Sequence, residues 1–299
     1  YMEFKPITVE SFEYIRPFLK KQFYRTCDFT VGGIYMWVDF FHYEYCIEDN
    51  LLFIKGYAEE AMDKISFTVP IGNNTMQKGI DLLRSYCINQ QIPLMFSAVP
   101  EEACSVLMQN YSCEKVERLD NWSDYLYVKE NLVTLAGKKL QKKRNRINKF
   151  YCSYLNVEFI PISQDNIQDV REFFNWYKQS VIKSNLYFVF EEMMVDRVLD
   201  NYFILNFIGG VLKVSGRLVG FTIGEVVNDT LFVHVEKANK EILGVYEVIN
   251  SLFVRYVANM YDLAFVNREE DVGDEGIRRA KLSYNPIRLL YKYNLSIML

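Results

Sequence analysis

The 299-residue chain holds only two histidines, His42 and His234. His234 stands two positions before Glu236, and strand alternation sets both side chains on one face. An imidazole beside a carboxylate can take a proton from an amine or hydroxyl nucleophile, directly or through a water. No Cys–His or Ser–His pattern accompanies them, so nothing points to a covalent enzyme intermediate. A second group supplies positive charge. Between positions 138 and 149, Lys138, Lys139, Lys142, Lys143, Arg144, Arg146 and Lys149 are basic and no residue is acidic. The chain as a whole carries −4. The basic charge is therefore segregated on an acidic protein, which suits docking of a polyanion, although a solvated connector would carry the same face. A third group follows: Asp271, Asp274 and Glu275 precede Arg278, Arg279 and Lys281. Arg278 and Lys281 are three apart and share a helix face, a cationic end able to meet a phosphate or a carboxylate. Glu236 and Asp271 are carboxylates able to hold an α-amino group.

These residues need elements to position them. Half of the residues are apolar and 16% are aromatic, enough for a large core, and the length suits two domains. Strands are expected at 4–7, 42–48, 51–55, 64–69, 93–99, 113–118 and 122–128. Asp49-Asn50 marks a hairpin turn. Helices are expected after Thr8, in the ambiguous aromatic stretch 27–41, from Asn74 or Thr75 to about 90 with Ile80, Leu83 and Cys87 inward, and after Pro100. The segment 135–150 reads as a helix with an apolar stripe at Ala136, Leu140, Ile147 and Phe150. Lys138, Lys142, Arg146 and Lys149 project from a neighbouring face. The order then repeats: a strand at 156–162, helices at 163–180 and 191–201, strands at 207–214, 217–226 and 230–236, a helix at 244–259, a strand at 263–267, a helix at 273–283 and a last strand at 287–291. The expected division is an N-terminal domain over 2–130, a basic connecting helix over 131–152 and a C-terminal domain over 153–299, with the cleft where the two domains meet. The six cysteines form no CxxC pair and read as small core residues of a reduced protein. No metal site is expected. No apolar run reaches the roughly 18 residues of a membrane span, and the start lacks a signal-peptide pattern, so a cytoplasmic location is expected.

Three antiparallel strands followed by helix, strand, helix and strand resemble the GCN5-related N-acetyltransferase (GNAT) fold. The motifs LAGKKLQKKRNRINKF (135–150) and NREEDVGDEGIRRAKLSYNP (267–286) resemble the DUF2156 family, related to the C-terminal catalytic region of phosphatidylglycerol lysyltransferases, and Asp124-Tyr125-Leu126-Tyr127 fits as well. The resemblance implies an α+β protein of two tandem GNAT-like domains, with mixed, mainly antiparallel sheets flanked by helices. It implies Tyr284 at the place of a tyrosine general acid. It sets Asn267 and Glu269, with Arg268 between them, after the strand whose splay admits the acyl group. Gly244 falls in the loop that grips the pyrophosphate of coenzyme A in this fold. That loop here has a single glycine and carries Glu241, so coenzyme A is disfavoured. Aminoacyl-tRNA, a polyanionic donor, suits the basic segment better. The expected function is transfer of an aminoacyl group from aminoacyl-tRNA to an amine or hydroxyl of a small molecule, a peptide or a lipid head group. A coenzyme-A-dependent N-acyltransferase, or a non-catalytic module binding RNA or an anionic metabolite, are the alternatives.

Overall fold

The computed structural model describes residues 1–183 and 185–299. The chain forms two compact units. The first comprises Tyr1–Asp124, Glu270–Asp274 and Leu289–Leu299; the second comprises Tyr125–Glu269 and Glu275–Arg288.

In the first unit the strands run in the order Lys5–Pro6, Glu44–Glu48, Leu51–Ala58, Ala61–Phe67, Leu94–Pro100, Lys292–Ile297, Cys113–Arg118, with Ile71–Gly72 paired to Leu51–Ala58. Neighbours are antiparallel except Ala61–Phe67 and Leu94–Pro100, which meet in parallel at Phe67 and Phe96. Local chemistry sets much of this. Asp49 and Asn50 both take positive φ and turn the hairpin between Glu44–Glu48 and Leu51–Ala58. Thr75 caps the helix Met76–Gln90 by accepting from the Lys78 N–H. Ile80, Leu83 and Cys87 of that helix are fully buried.

The second unit repeats the plan: Arg288–Leu290, Asp124–Val128, Phe265–Asn267, Thr230–Ala238, Arg217–Val227, Ile208–Val214, Val157–Pro161. Again one pair is parallel, Thr230–Ala238 with Phe265–Asn267. The helix Val245–Ala258 buries Val245, Val248 and Ile249 against Leu212, Val214, Val219 and Ala238. Phe150 joins the same cluster, with Ile147 packed at its edge.

Strand membership does not follow the linear division at 130 and 153. Lys292–Ile297 lies in the first sheet, between Leu94–Pro100 and Cys113–Arg118, and Asp124–Val128 lies in the second, against Phe265–Asn267. Each sheet thus completes itself with a strand from the far end of the chain. The last strand expected at 287–291 is Arg288–Leu290, in the second sheet, and a further strand that was not expected, Lys292–Ile297, follows it in the first. The basic segment differs too. It is not one helix: a 3-10 turn, Lys138–Leu140, precedes the helix Gln141–Ser153. Leu135 and Gly137 both have positive φ, which breaks the chain's helical course, and Ala136 is exposed. The helix belongs to the second unit, anchored by Phe150. Among the described residues no helix is long and apolar enough to cross a membrane.

Candidate active site

The parallel pairing of Thr230–Ala238 with Phe265–Asn267 ends at Phe232 and Asn267. His234, Glu236, Arg268 and Glu269 all come from just beyond that point. On the antiparallel side, Val233 pairs with Gly224 and Val235 with Ile223, which leaves His234 as the extra residue of a bulge. A bulge re-aims its side chain, so simple alternation does not describe the positions of His234 and Glu236.

His234 is buried between two carboxylates. Nε2 donates to Glu225 Oε1 at 2.6 Å, and Nδ1 donates to Glu269. Burial alone would lower the imidazole pKa. The charge of Glu269, the hydrogen bonds to Glu225 and Glu269, and the charge of Glu225 outweigh it and push the pKa up to about 10. At neutral pH the ring already holds its proton, so it is not the base that the sequence allowed. It is a buried cation that fixes Oε1 of Glu269. A folded-state pKa raised from 6.5 stabilises the fold fully below 6.5, and the contribution fades as pH rises to about 10. His234→Gln is expected to cost about 2–3 kcal/mol at pH 7, since two carboxylates lose their cation. Denaturant melts should show the difference from the parent shrinking between pH 7 and 10; a difference that grows with pH would overturn the assignment.

Next to this clamp lies a second group. Arg268 Nη2 reaches Glu236 Oε1 at 3.3 Å, and Asn250 Nδ2 donates to Glu236 Oε2 at 3.2 Å. The guanidinium lies 4.6 Å from the ring centre of Tyr284 and 5.8 Å from that of Tyr127. Its Nη1 is buried without a hydrogen-bond partner among the described residues. Lys143 Nζ sits 4.2 Å from the Tyr284 ring centre. Burial lowers the Lys143 pKa; Glu247 pulls the other way, and Arg146 and Arg268 add to the lowering. Burial raises the Tyr284 phenol despite Arg268, so it stays protonated at neutral pH. Tyr127 donates to the Lys281 carbonyl at 2.5 Å. A guanidinium, an ammonium, a phenol and a carboxylate thus share one small volume of the second unit. That set can polarise a carbonyl, accept a proton and supply one.

The basic segment divides by what its residues touch. Arg144 donates to the carbonyls of Leu135 and Gly137, closing the loop before the helix. Arg146 pairs with Glu247 at 2.7 Å, and Lys143 lies 3.8 Å from the same carboxylate. Lys138, Lys139, Lys142 and Lys149 are exposed. Nη1 of Arg144 is therefore spent on backbone.

The remaining candidates take structural work or open positions. Asn267 is fully buried and its Oδ1 accepts from the Glu269 N–H at 2.7 Å. Lys281 Nζ donates to the Arg268 carbonyl at 2.6 Å, holding the residue after the strand. Arg278 is half-buried and Arg279 exposed on the helix Glu275–Leu282. Asp271 belongs to the first unit, where its Oδ1 accepts from the Gly273 N–H at 2.9 Å and closes a turn. Gly244 caps the helix Val245–Ala258 with φ +85. A Cβ there would lie 2.9 Å from the Arg146 carbonyl oxygen and 3.4 Å from Phe150 Cβ. The glycine lets the basic helix approach, and the first helical turn carries Glu247. Backbone of the basic helix and the Glu247 carboxylate, paired with Arg146, therefore lie close to the first turn of Val245–Ala258. Sequence reasoning left Arg268 without a role and missed Glu225, Glu247 and Asn250. Arg268 was visible inside the 267–286 motif; the other three carry no local signal.

The first unit holds a separate charged group. Lys292, fully buried, lies 2.9 Å from Asp28 Oδ2, 2.9 Å from Asp124 Oδ1 and 3.3 Å from Glu270 Oε1. Cys27 donates from its N–H to Asp124 at 2.6 Å and from Sγ to Glu270 at 2.7 Å. Cys27, Asp124 and Glu270 have the spacing of metal ligands. Burial first, then Asp124 and Glu270, push the Cys27 thiol well up, against Lys292. A protonated thiol is a poor ligand, and the ammonium already supplies the positive charge. Cys27 is thus no plain core residue, and Cys152 is exposed.

Comparison with known proteins agrees with this plan. The family described as phosphatidylglycerol lysyltransferase, C-terminal, matches residues 22–296. The uncharacterized protein MYCGA3080 of Mycoplasmoides gallisepticum is 24% identical over 184 residues, 59% of this chain and 56% of that protein, so this chain spans little more than half of that relative. A conserved protein of unknown function from Bacteroides thetaiotaomicron is 31% identical over the whole of both chains, with a TM-score of 0.87. L-PGS from Bacillus licheniformis shares the fold at 12% identity, covering 95% of this chain and 91% of its own, with a TM-score of 0.68. The fold is α+β, two tandem GNAT-like units with mainly antiparallel sheets flanked by helices, shared with L-PGS. By its match over nearly the full length, the chain belongs to the phosphatidylglycerol lysyltransferase, C-terminal, family.

Proposed function

We propose that the chain transfers an aminoacyl group from aminoacyl-tRNA to an amine or hydroxyl acceptor, at the Arg268–Glu236–Tyr284–Lys143 group. The observation that carries this reading is Arg268 Nη1, buried without a hydrogen-bond partner among the described residues. A buried unpaired donor is costly, and a carbonyl oxygen gaining negative charge is the acceptor that relieves it most. The acceptor's lone pair attacks the ester carbonyl, and the developing oxyanion meets Arg268 with Lys143 near. Glu236 takes the acceptor's proton. The ester C–O bond breaks, and the leaving ribose oxygen takes a proton from the Tyr284 phenol. Glu236 then returns a proton to Tyr284, so the net movement is one proton from acceptor to leaving group. Proximity of bound donor and acceptor supplies the rest.

The exposed Lys138, Lys139, Lys142 and Lys149 support a polyanionic donor, because each can meet phosphate without breaking an internal pair. Replacing these four by glutamine is expected to weaken tRNA binding. It should also make the log–log salt dependence shallower by roughly 0.9 per lysine that touches a phosphate. Filter binding across a salt series reads both quantities; unchanged affinity and slope would remove tRNA from the proposal. The reaction itself is tested by incubating the chain with a set of charged tRNAs and a panel of amines and hydroxyl head groups, phosphatidylglycerol among them.

A further inference from the structure

Glu269 follows Arg268 directly and takes a φ of +63. A residue with a Cβ keeps that left-handed conformation only where its surroundings hold it. Here the backbone is tied on both sides. The Glu269 N–H donates to Asn267 Oδ1 at 2.7 Å, and Asn267 is fully buried. The Glu269 carbonyl accepts from the Tyr125 N–H at 3.1 Å, and the Arg268 N–H donates to the Tyr125 carbonyl at 3.0 Å. Lys281 Nζ holds the Arg268 carbonyl at 2.6 Å. The Glu269 side chain adds one more bond, accepting at Oε1 from His234 Nδ1. All of these residues belong to the second unit.

The anchor at the His234 end is itself held. His234 is the bulged residue of its strand, and its Nε2 donates to Glu225 at 2.6 Å. The Phe232 and Phe207 rings lie 6.5 and 6.0 Å from the imidazole, the first stacked on it and the second edge-on. A buried network satisfied in this way is rigid. Its other end sets the place of Arg268, whose Cα is one peptide, about 3.8 Å, from that of Glu269. A donor to a developing oxyanion has to stand ready within about 0.5 Å of its working position. Arginine reaches that precision only where its backbone cannot drift and its tip is held, here by Glu236 Oε1 at 3.3 Å from Nη2.

We propose that Glu269 is a positioning residue for acyl transfer: its carboxylate, anchored on His234, holds the left-handed turn that aims the Arg268 guanidinium at Glu236 and at the reacting carbonyl. The acyl-transfer reading of the Arg268 group underlies this role. The Glu225–His234–Glu269 clamp then has a task beyond stability, although none of its members touches the reacting atoms.

The test is kinetic, with a structural arm that needs no activity. Transfer is followed with the charged tRNA and the acceptor that the parent chain turns over fastest. Glu269→Ala is expected to lower kcat by about 10- to 100-fold with KM nearly unchanged, the effect of a donor moved by about an ångström. Glu269→Gln keeps an oxygen for His234 Nδ1 and should recover most of the rate. In the Arg268→Met background the alanine substitution should cost less than about threefold, because a residue that acts through Arg268 has nothing left to position. Losses that multiply across the two sites, or a glutamine variant as slow as the alanine one, would overturn the proposal. Crystal structures of the parent and of Glu269→Ala form the second arm. The contact between Arg268 and Glu236 is expected in the first and lost in the second. A guanidinium unmoved in Glu269→Ala overturns the proposal even if the parent transfers nothing, a result that by itself would sink only the acyl-transfer reading. Should the alanine variant not fold, Glu269→Gly replaces it, since glycine takes positive φ without strain and brings no carboxylate.

Discussion

Lys292→Met is expected to cost about 3–5 kcal/mol of folding stability at neutral pH, the penalty for breaking a buried ion group from one side. The ammonium is fully buried, and its charge is matched to Asp28, Asp124 and Glu270. Asp124 is itself fully buried and holds the Cys27 N–H, so it cannot turn to water. Burial alone would lower the lysine pKa; Asp124, Asp28, Cys27 and Glu270 outweigh that and hold it well above its ordinary value. Methionine fills the space but brings no charge. The stranded carboxylates then recover by taking up protons, which raises their folded-state pKa above the unfolded range of roughly 4. A carboxylate raised in this way favours the fold most at low pH and loses that advantage as pH climbs. The deficit of Lys292→Met should therefore be smaller at pH 5 than at pH 8, read from urea melts at each. Adding Asp124→Asn should return part of the loss, and a double-mutant cycle measures how much. A loss under about 1 kcal/mol, flat with pH, would mean that the lysine is not the keystone of this group.

What could be read from the sequence and what could not differ in range along the chain. Asp49-Asn50, Thr75 and the Ile80–Leu83–Cys87 face act on neighbours within a few residues, so the turn, the cap and the buried face were all legible. The basic segment was legible as charge and not as roles. Whether Arg144 meets RNA or the Leu135 and Gly137 carbonyls depends on two positive-φ residues in the loop before it. Whether Arg146 is free depends on Glu247, about a hundred residues later. The Lys292 group was invisible for the same reason. Lys292 stands 22 positions from Glu270 but 265 from Cys27, and a strand beginning Lys-Tyr-Asn looks solvated until its counter-charges are found. The strand Lys292–Ile297 was missed because Lys292 and Asn294 point inward at positions where the alternation rule expects apolar residues.

For the acyl-transfer group the decisive substitution is Arg268→Met, expected to lower kcat for aminoacyl transfer by about 10²–10³ with little change in KM. The reasoning starts from geometry. Arg268 spends one nitrogen on Glu236 and keeps another buried and unbonded beside Tyr284. An interaction made only as the carbonyl oxygen gains charge acts on the transition state, so its loss falls on kcat. Arg268→Lys separates charge from shape. It keeps the positive charge but not the planar fork that can hold Glu236 and an oxyanion together, so an intermediate loss is expected. Removing the guanidinium also strands Glu236, which keeps the hydrogen bond from Asn250 but loses its cation. The Glu236→Gln single variant measures what the carboxylate itself contributes: a loss in Arg268→Met that came only from a displaced Glu236 would not exceed it, and a larger loss is the part due to the oxyanion donor. Single-turnover decay of the aminoacyl ester, with the best acceptor in the panel, measures the chemical step directly. Retention of transfer within about tenfold in Arg268→Met would move the reacting carbonyl away from this guanidinium. The shared acyl-transfer scaffold would then have to work through other donors in the second unit, with Lys143 over the Tyr284 ring the first to examine.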